Sequence, residues 1–261
     1  MNVSKVIRLD SIQNIRDLGG IVNKDGYVIK DNLLIRSSEL SHLSRRDMKK
    51  LYKQIGVQTV FDFRSEYEAH RAKDKLDKDT KYFLNEIATD DAFGVRRDED
   101  TRRQLQELMA RIRSGNNDME ASREYMSFFY RNIAYSGFSV AQYGRFLYYI
   151  MTHDVPVLWH CSLGKDRCGI GTALVLEALG VDRESIIEDY LYTNEIYDLD
   201  PDVDNPFEVA HRSYIETYFE EAEKTHGSMA NLFEKMWISK DVIDKFKERV
   251  LQQNIYQNLK R

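Results

Sequence analysis

The chain of 261 residues contains only two cysteines, three prolines and 13 glycines. Two cysteines are too few for a disulfide scaffold, so the sequence predicts a fold that is stabilised by a hydrophobic core. The low proline and glycine content excludes a collagen-like chain, a mucin-like stalk and a flexible linker between separate halves. No run of about 18 apolar residues occurs, so the sequence predicts no membrane span.

The charged residues are numerous but nearly balanced, with 38 Lys+Arg against 43 Asp+Glu and a net charge of -5. This slightly acidic balance argues against a nucleic-acid partner, because proteins of that class gather basic charge to displace counterions from phosphates. The six histidines show no spacing typical of metal ligands, so we expect no metal and no other cofactor. The first residues form no apolar signal region, so we expect a cytoplasmic protein, or a secreted one if a signal peptide was removed.

Apolar and β-branched runs alternate with helical patterns along a chain that shows no internal repeat, and we predict one domain over residues 1–261. Residues 57–63 and 155–159 are predicted as buried strands. Ser65 and Glu68 form a capping box that starts a helix after the first of them, and a helix over 171–179 follows the second. The sequence therefore predicts an α/β fold with a central, mostly parallel sheet and helices on both faces.

Residues 94–134 form a charged helical insertion with a break at 114–118. Its narrow apolar stripe of Leu105, Leu108, Met109 and Ile112 predicts that the first helix docks on the rest of the protein. Two interpretations stay open, a solvated helical hairpin on the surface and a movable lid over a site. Three more helices are predicted near 208–224, 229–236 and 240–252, with no strand in this part of the chain.

The residues that carry chemistry stand between the second strand and its helix, at 160–169. Such a turn directs successive backbone N–H groups at one point, where they bind an oxyanion. We expect the amides of 162–167, which belong to Ser162, Leu163, Gly164, Lys165, Asp166 and Arg167, to surround a tetrahedral anion. Arg167 would close the ring, and Cys161 would lie beneath its centre as a thiolate that this positive field favours.

The segment His160-Cys161-x-x-Gly164-Lys165-Asp166-Arg167 resembles the signature of the protein-tyrosine phosphatase superfamily. Its Gly-Lys-Asp-Arg variant resembles the bacterial tyrosine and lipid phosphatases typified by secreted enzymes of mycobacteria and Listeria. Residues 14–20, Asn-Ile-Arg-Asp-Leu-Gly-Gly, are similar to another motif of that family. The likeness extends over most of the chain.

The resemblance implies a phosphomonoester hydrolase that releases phosphate from phosphotyrosine in proteins, from phosphoinositides, or from both. Cys161 would form a cysteinyl-phosphate intermediate, and Arg167 would bind the phosphoryl oxygens through both steps. Lys165 would add a second cation that favours polyanionic headgroups, although a solvated lysine at the tip of a loop is the alternative.

Two aspartates compete to protonate the leaving group. We expect Asp62, at the end of the first strand, to approach the leaving oxygen from outside the loop, with Asp166 as the alternative acid or as a water-orienting group. The structural alternative for Asp62 is a pair with Arg64.

Two further residues are predicted to support the nucleophile. His160 would fix the loop by hydrogen bonds. Cys168 stands where related enzymes have serine or threonine, and we hypothesise that it can trap oxidised Cys161 as a disulfide; inward packing is the alternative. A rhodanese-type sulfurtransferase and a catalytically silent module that binds phosphate or phosphoinositides are the rival functions.

Overall fold

The computed structural model describes residues 1–88, 99–115, 118–153 and 155–254. Six strands form the main sheet, in the order β1-β2-β4-β7-β5-β6, and β3 pairs with β8 in a separate two-stranded sheet. The strands are β1 (Lys5–Val6), β2 (Arg16–Asp17), β3 (Tyr27–Ile29), β4 (Leu34–Ser37), β5 (Thr59–Asp62), β6 (Lys81–Leu84), β7 (Val157–His160) and β8 (Leu251–Gln253). Strands β4, β7, β5 and β6 are parallel, and β1 and β2 extend the sheet antiparallel.

The helices pack on both faces of this sheet. They are α1 (Arg45–Lys49), which continues as a π-helical segment over Lys50–Ile55, α2 (Glu66–Arg71), α3 (Glu99–Arg113), α4 (Met119–Tyr135), α5 (Gly137–Thr152), α6 (Asp166–Leu179), α7 (Arg183–Tyr197), α8 (Arg212–His226), α9 (Met229–Lys235) and α10 (Lys240–Val250). In the part of the chain that the structure describes, none of them has the length and apolar character to cross a membrane.

The central strand β7 shows how the sequence produces two cores. Its side chains alternate in direction, so Val157 and Trp159 join the larger core on one face while Leu158 joins the smaller core on the other. Leu158 meets Leu43 and Leu51 of the α1 region there. The predicted fold, a mostly parallel sheet with helices on both faces, is therefore confirmed.

The local predictions agree with the structure around the first strand. The Ser65 hydroxyl accepts from the Glu68 amide and the Glu68 side chain accepts from the Ser65 amide, which is the predicted capping box. Two other predicted helix boundaries were wrong. Helix α6 begins at Asp166, five residues before the predicted start at 171, and β8 occupies residues predicted as the end of a helix.

The helical insertion consists of two helices, α3 and α4, that pack differently on the rest of the protein. Its residues 94–98 and 116–117 lie outside the described residues. The inner face of α4, which includes Tyr130 and Ile133, is part of the larger core, so this helix is neither a solvated hairpin arm nor a lid. Helix α3 buries Leu108 and lies against α4. A moving lid remains a prediction for α3 alone.

Candidate active site

The turn from 161 to 165 lies at the carboxyl end of β7, between β4 and β5 in the middle of the sheet. Because α6 begins at Asp166, the last part of the signature forms the first turn of a helix. No side chain of the described residues caps this helix start. Its free amides and the positive end of its dipole therefore face the turn, which is a suitable arrangement for an anion.

The carbonyl groups of this turn accept hydrogen bonds from outside it. The donors are His160 Nδ1 to the Cys161 oxygen (3.1 Å), the Glu39 amide to Ser162 (3.1 Å), Asn14 Nδ2 and the Tyr197 hydroxyl to Leu163 (both 2.9 Å), Arg36 Nη2 to Gly164 (2.8 Å) and the Gly169 amide to Lys165 (2.8 Å). In a trans peptide the N–H points opposite to the preceding carbonyl. The amides of 162–166 therefore point away from these donors, and the predicted ring of the amides of 162–167 around an anion stays a prediction.

Gly164 allows this path of the backbone. Its φ is +69°, in the left-handed region that glycine adopts most readily. A Cβ at this position would lie 2.5 Å from the carbonyl oxygen of Ser37 in β4. Both the backbone conformation and the close approach to β4 therefore require glycine.

Cys161 begins the turn, and Cys168 lies in the first turn of α6. Cys161 is 2% exposed and Cys168 is fully buried, and both are free thiols. Cys168 Sγ donates to the Trp159 carbonyl oxygen at 3.5 Å. Burial raises the pKa of Cys168 to about 12, which keeps it protonated at neutral pH. Its packing agrees with the inward-facing alternative, and the disulfide hypothesis stays a prediction.

Glu68 holds Arg167, a contact that the sequence analysis missed. Arg167 Nη1 donates to Glu68 Oε2 at 2.6 Å and Nη2 donates to Oε1 at 2.8 Å. The Ser162 hydroxyl donates to the same carboxylate at 2.7 Å. Burial raises the pKa of Glu68, but Arg167 and Ser162 outweigh it and hold the pKa well below the usual range. The sequence assigned Glu68 only to the capping box.

Asp166 lies beside Arg167 at the wall of a cavity and is held by a pair of tyrosines. The Tyr130 hydroxyl donates to Asp166 Oδ1 at 2.7 Å and lies 2.8 Å from the Tyr190 hydroxyl. Burial raises the pKa of Tyr130 well above its usual value, so this hydroxyl keeps its proton for the bond. Both tyrosines are buried, which fixes the carboxyl group in place.

Asp62 does not face the same cavity, and this prediction was wrong. Its side chain is fully buried, and its two oxygens accept from Arg64 Nε and Nη2 at 2.7 to 3.0 Å. The Tyr82 hydroxyl donates to Oδ2 at 2.8 Å. Burial raises the pKa of Asp62, but His160 and Arg64 outweigh it and lower the pKa. The structural alternative, a pair with Arg64, is the observed one.

His160 belongs to the same buried network. Its Nε2 lies 3.0 Å from Asp74 Oδ2, and Asp62, Asp74 and His160 offer ligand atoms within 4.8 Å of one another. Arg64 Nη2 lies between the two carboxylates, 2.7 Å from Asp62 and 3.0 Å from Asp74. The guanidinium therefore already supplies the positive charge that a metal ion would bring, and a cation would have to displace it.

Lys165 is neither solvated nor directed at a second phosphate group. Its side chain is fully buried, and Nζ donates to the carbonyl oxygens of Phe207 at 2.8 Å and Val209 at 3.0 Å. Nζ also lies 3.4 Å from Asp166 Oδ1. Lys165 thus ties the segment before α8 to the turn, and the predicted contact with polyanionic headgroups has no support in this arrangement.

A family model described as the tyrosine phosphatase family matches residues 7–252. The chain belongs to this family. The triple specificity protein phosphatase PtpB of Mycobacterium tuberculosis is 32% identical over 199 residues, which cover 73% of this chain and 70% of PtpB. The membership predicted from the signature is confirmed, and it gives no support to a sulfurtransferase.

Two solved structures show weaker likeness to this chain. TpbA of P. aeruginosa, in complex with pTyr, is 16% identical with a TM-score of 0.33, over 81% of this chain and 90% of TpbA. PTPMT1, in complex with PI(5)P, is 13% identical with a TM-score of 0.26, over 86% of this chain and 99% of PTPMT1.

A cavity of about 910 Å³ opens beside the start of α6. Asp166 and Arg167 lie at one end of it, and the aromatic rings of Tyr125, Phe129 and Phe207 form part of its wall. Aromatic walls beside a charged arginine suit an anionic aromatic ligand.

Proposed function

We propose that this protein hydrolyses phosphomonoesters, with phosphotyrosine in proteins as the preferred substrate. The observation that carries the proposal is the turn at 161–165, whose carbonyls all accept from outside it, and this supports a ring of inward-facing amides above Cys161. The aromatic wall of the cavity supports an aryl substrate. Phosphoinositides are the second candidate class, supported by the triple specificity named for the relative PtpB.

The reaction uses Cys161 as the nucleophile. Its thiolate attacks phosphorus in line with the leaving oxygen, the phosphorus–oxygen bond breaks, and a cysteinyl phosphate forms. Arg167, oriented by Glu68, binds the equatorial oxygens while their charge redistributes. Water then attacks the intermediate and releases inorganic phosphate.

Asp166 is the general acid of this proposal. It lines the cavity beside Arg167, and both of its described contacts are made by Oδ1, which leaves Oδ2 to carry a proton. The acid protonates the leaving oxygen in the first step and takes a proton from the attacking water in the second. Asp62 is unsuitable because its oxygens are engaged by Arg64.

A phosphate-release panel tests the proposal. The substrates are a phosphotyrosine peptide, a phosphoserine peptide and phosphoinositides in vesicles, each with the wild type, Cys161→Ser and Cys168→Ser. We expect release from phosphotyrosine that Cys161→Ser abolishes and Cys168→Ser retains. Binding without release in the wild type would identify a silent module, and an undiminished rate in Cys161→Ser would remove the proposed nucleophile.

A further inference from the structure

Two buried arginines share one carboxylate behind the turn. Arg16 of β2 and Arg36 of β4 are directly paired in the sheet. Arg36 Nη1 lies 2.8 Å from Asp189 Oδ2, and Arg16 Nη1 lies 3.4 Å from Asp189 Oδ1. All three side chains are at most 1% exposed. We call Arg16, Arg36 and Asp189 the rear cluster.

The rear cluster has a net positive charge at neutral pH. Burial lowers the pKa of Arg16 to about 10, which still leaves it charged. Burial also lowers the pKa of Arg36, but the neighbouring acidic groups Cys168 and Asp189 outweigh it and raise the pKa overall. Burial raises the pKa of Asp189, but the two arginines outweigh it and lower the pKa. Two cations therefore face one anion.

An excess charge without solvent is costly unless another group compensates it. The Nε atoms of Arg16 and Arg36 have no hydrogen-bond partner among the described residues, so the cluster itself does not use all of its donors. Arg36 reaches the turn directly, because its Nη2 donates to the Gly164 carbonyl oxygen at 2.8 Å. An anion bound on the other side of the turn would balance this charge.

Arg36 and Cys161 are electrostatically linked. A charge on Cys161 raises the pKa of Arg36. The other titratable groups that the charge of Cys161 reaches are Arg167, Cys168, Tyr143 and Tyr197. His160 is the adjacent residue and contacts the Cys161 carbonyl. Among these groups Arg36 is the cation that contacts the Gly164 carbonyl of the turn, whereas Arg167 lines the cavity.

We propose that Arg36 is a positioning residue of the phosphatase. It holds the Gly164 carbonyl outward, and together with Arg16 and Asp189 it places a positive charge behind the turn that favours the thiolate of Cys161 and a bound phosphate. The inference rests on the proposed function, since it assigns the rear cluster to the same site.

The test uses the sign of the charge change. Arg36→Met removes one positive charge and Asp189→Asn removes the negative charge, so the rear cluster changes in opposite directions. The rate of alkylation by iodoacetamide is measured against pH, and trypsin separates Cys161 from Cys168 by cleaving after Lys165 and Arg167. Relative to the wild type, we expect the midpoint of the Cys161 profile to rise by about one pH unit in Arg36→Met and to fall in Asp189→Asn.

Two further variants serve as controls. Arg36→Lys keeps the charge and should leave the midpoint near that of the wild type. Arg212→Met removes an exposed arginine that pairs with Glu184 on the surface, and it should leave the midpoint unchanged. Circular dichroism and thermal unfolding establish that each variant is folded. The loss of the same positive charge should also weaken inhibition by inorganic phosphate about tenfold in Arg36→Met.

A purely structural role predicts a different pattern. It would lower the melting temperature of both charge variants. The midpoint of the Cys161 profile would then stay unchanged or move in the same direction in both variants, and either result would overturn the proposal. If Arg36→Met does not fold, the decision rests on Asp189→Asn. A Cys161 midpoint in that variant that equals or exceeds the wild-type midpoint would also overturn the proposal. Alkylation does not require turnover, so a wild type that releases no phosphate would contradict the proposed function without deciding this inference.

Discussion

The Glu68 carboxylate and the Arg167 guanidinium meet through two hydrogen bonds, one of 2.6 Å and one of 2.8 Å. Glu68 also accepts from the Ser65 amide, at 2.8 Å, at the start of α2. The orientation of Arg167 is therefore coupled to the helix that follows β5. One residue both starts a helix and directs the group that binds phosphate.

Glu68→Gln should lower kcat/KM for a phosphotyrosine peptide by about tenfold to a hundredfold, because a misdirected guanidinium no longer matches the phosphoryl oxygens. Steady-state kinetics measure the change, and circular dichroism shows that the fold persists. Glu184→Gln is the matched control, since it also breaks a pair between a carboxylate and an arginine, but on the exposed surface between α7 and α8. Equal kinetics in Glu68→Gln and Glu184→Gln would contradict the assigned role.

Asp166→Asn should affect substrates according to how much their leaving groups need a proton. We expect kcat to fall by about a hundredfold or more with phenyl phosphate, and by much less with p-nitrophenyl phosphate, whose leaving group is stable as an anion. Asp62→Asn is the control. It leaves Arg64 with an incomplete partner, so it should lower the melting temperature while keeping the wild-type ratio between the two substrates. A substrate ratio that changes in Asp62→Asn instead of Asp166→Asn would reverse the assignment.

The sequence predicts the family, the fold class and the position of the turn because that information is contiguous. A buried strand, a Cys-x5-Arg spacing and a helix follow one another within about 25 residues, and local patterns of this kind are readable without coordinates. The start of α6 was placed too late because Asp166 and Arg167 are charged and resemble loop residues, although they lie in the first helical turn.

The partners of the turn could not be predicted from spacing. Asn14, Arg36, Glu39 and Tyr197 reach its carbonyl groups from segments that are far apart in the chain. A hydrogen bond to a backbone carbonyl leaves no residue pattern at the acceptor, so the sequence contains no matching pair. Strand β8 was missed for a related reason, since its partner β3 lies more than 200 residues away.

Gly164→Ala should abolish activity. It should also lower the free energy of unfolding by more than a positive φ alone would cost an alanine. The new Cβ would approach the Ser37 carbonyl oxygen to 2.5 Å, so β4 or the turn must move. Gly56→Ala is the matched control, because Gly56 has a φ of +87° with nothing within 4 Å of a Cβ. We expect a loss of about 1 kcal/mol in the free energy of unfolding for Gly56→Ala, with activity retained. Urea unfolding and phosphate release measure both, and a similar loss in the two variants would show that the contact with β4 is unimportant.

His160 should make the stability of this protein fall as the pH rises above neutrality. Burial lowers the pKa of His160, but Asp62 and Asp74 outweigh it, so the pKa is raised in the folded protein. A raised pKa means that the imidazolium stabilises the fold fully below the unfolded value of about 6.5, and that this contribution disappears as the pH passes the folded value. Melting temperatures of the wild type and His160→Gln, measured from pH 5.5 to 9, should therefore converge as the pH rises. His70→Gln removes an exposed histidine of α2 and is the control. Its melting temperature should differ from that of the wild type by the same amount at every pH. A gap between the wild type and His160→Gln that widens with pH would mean that the neutral imidazole is the stabilising form.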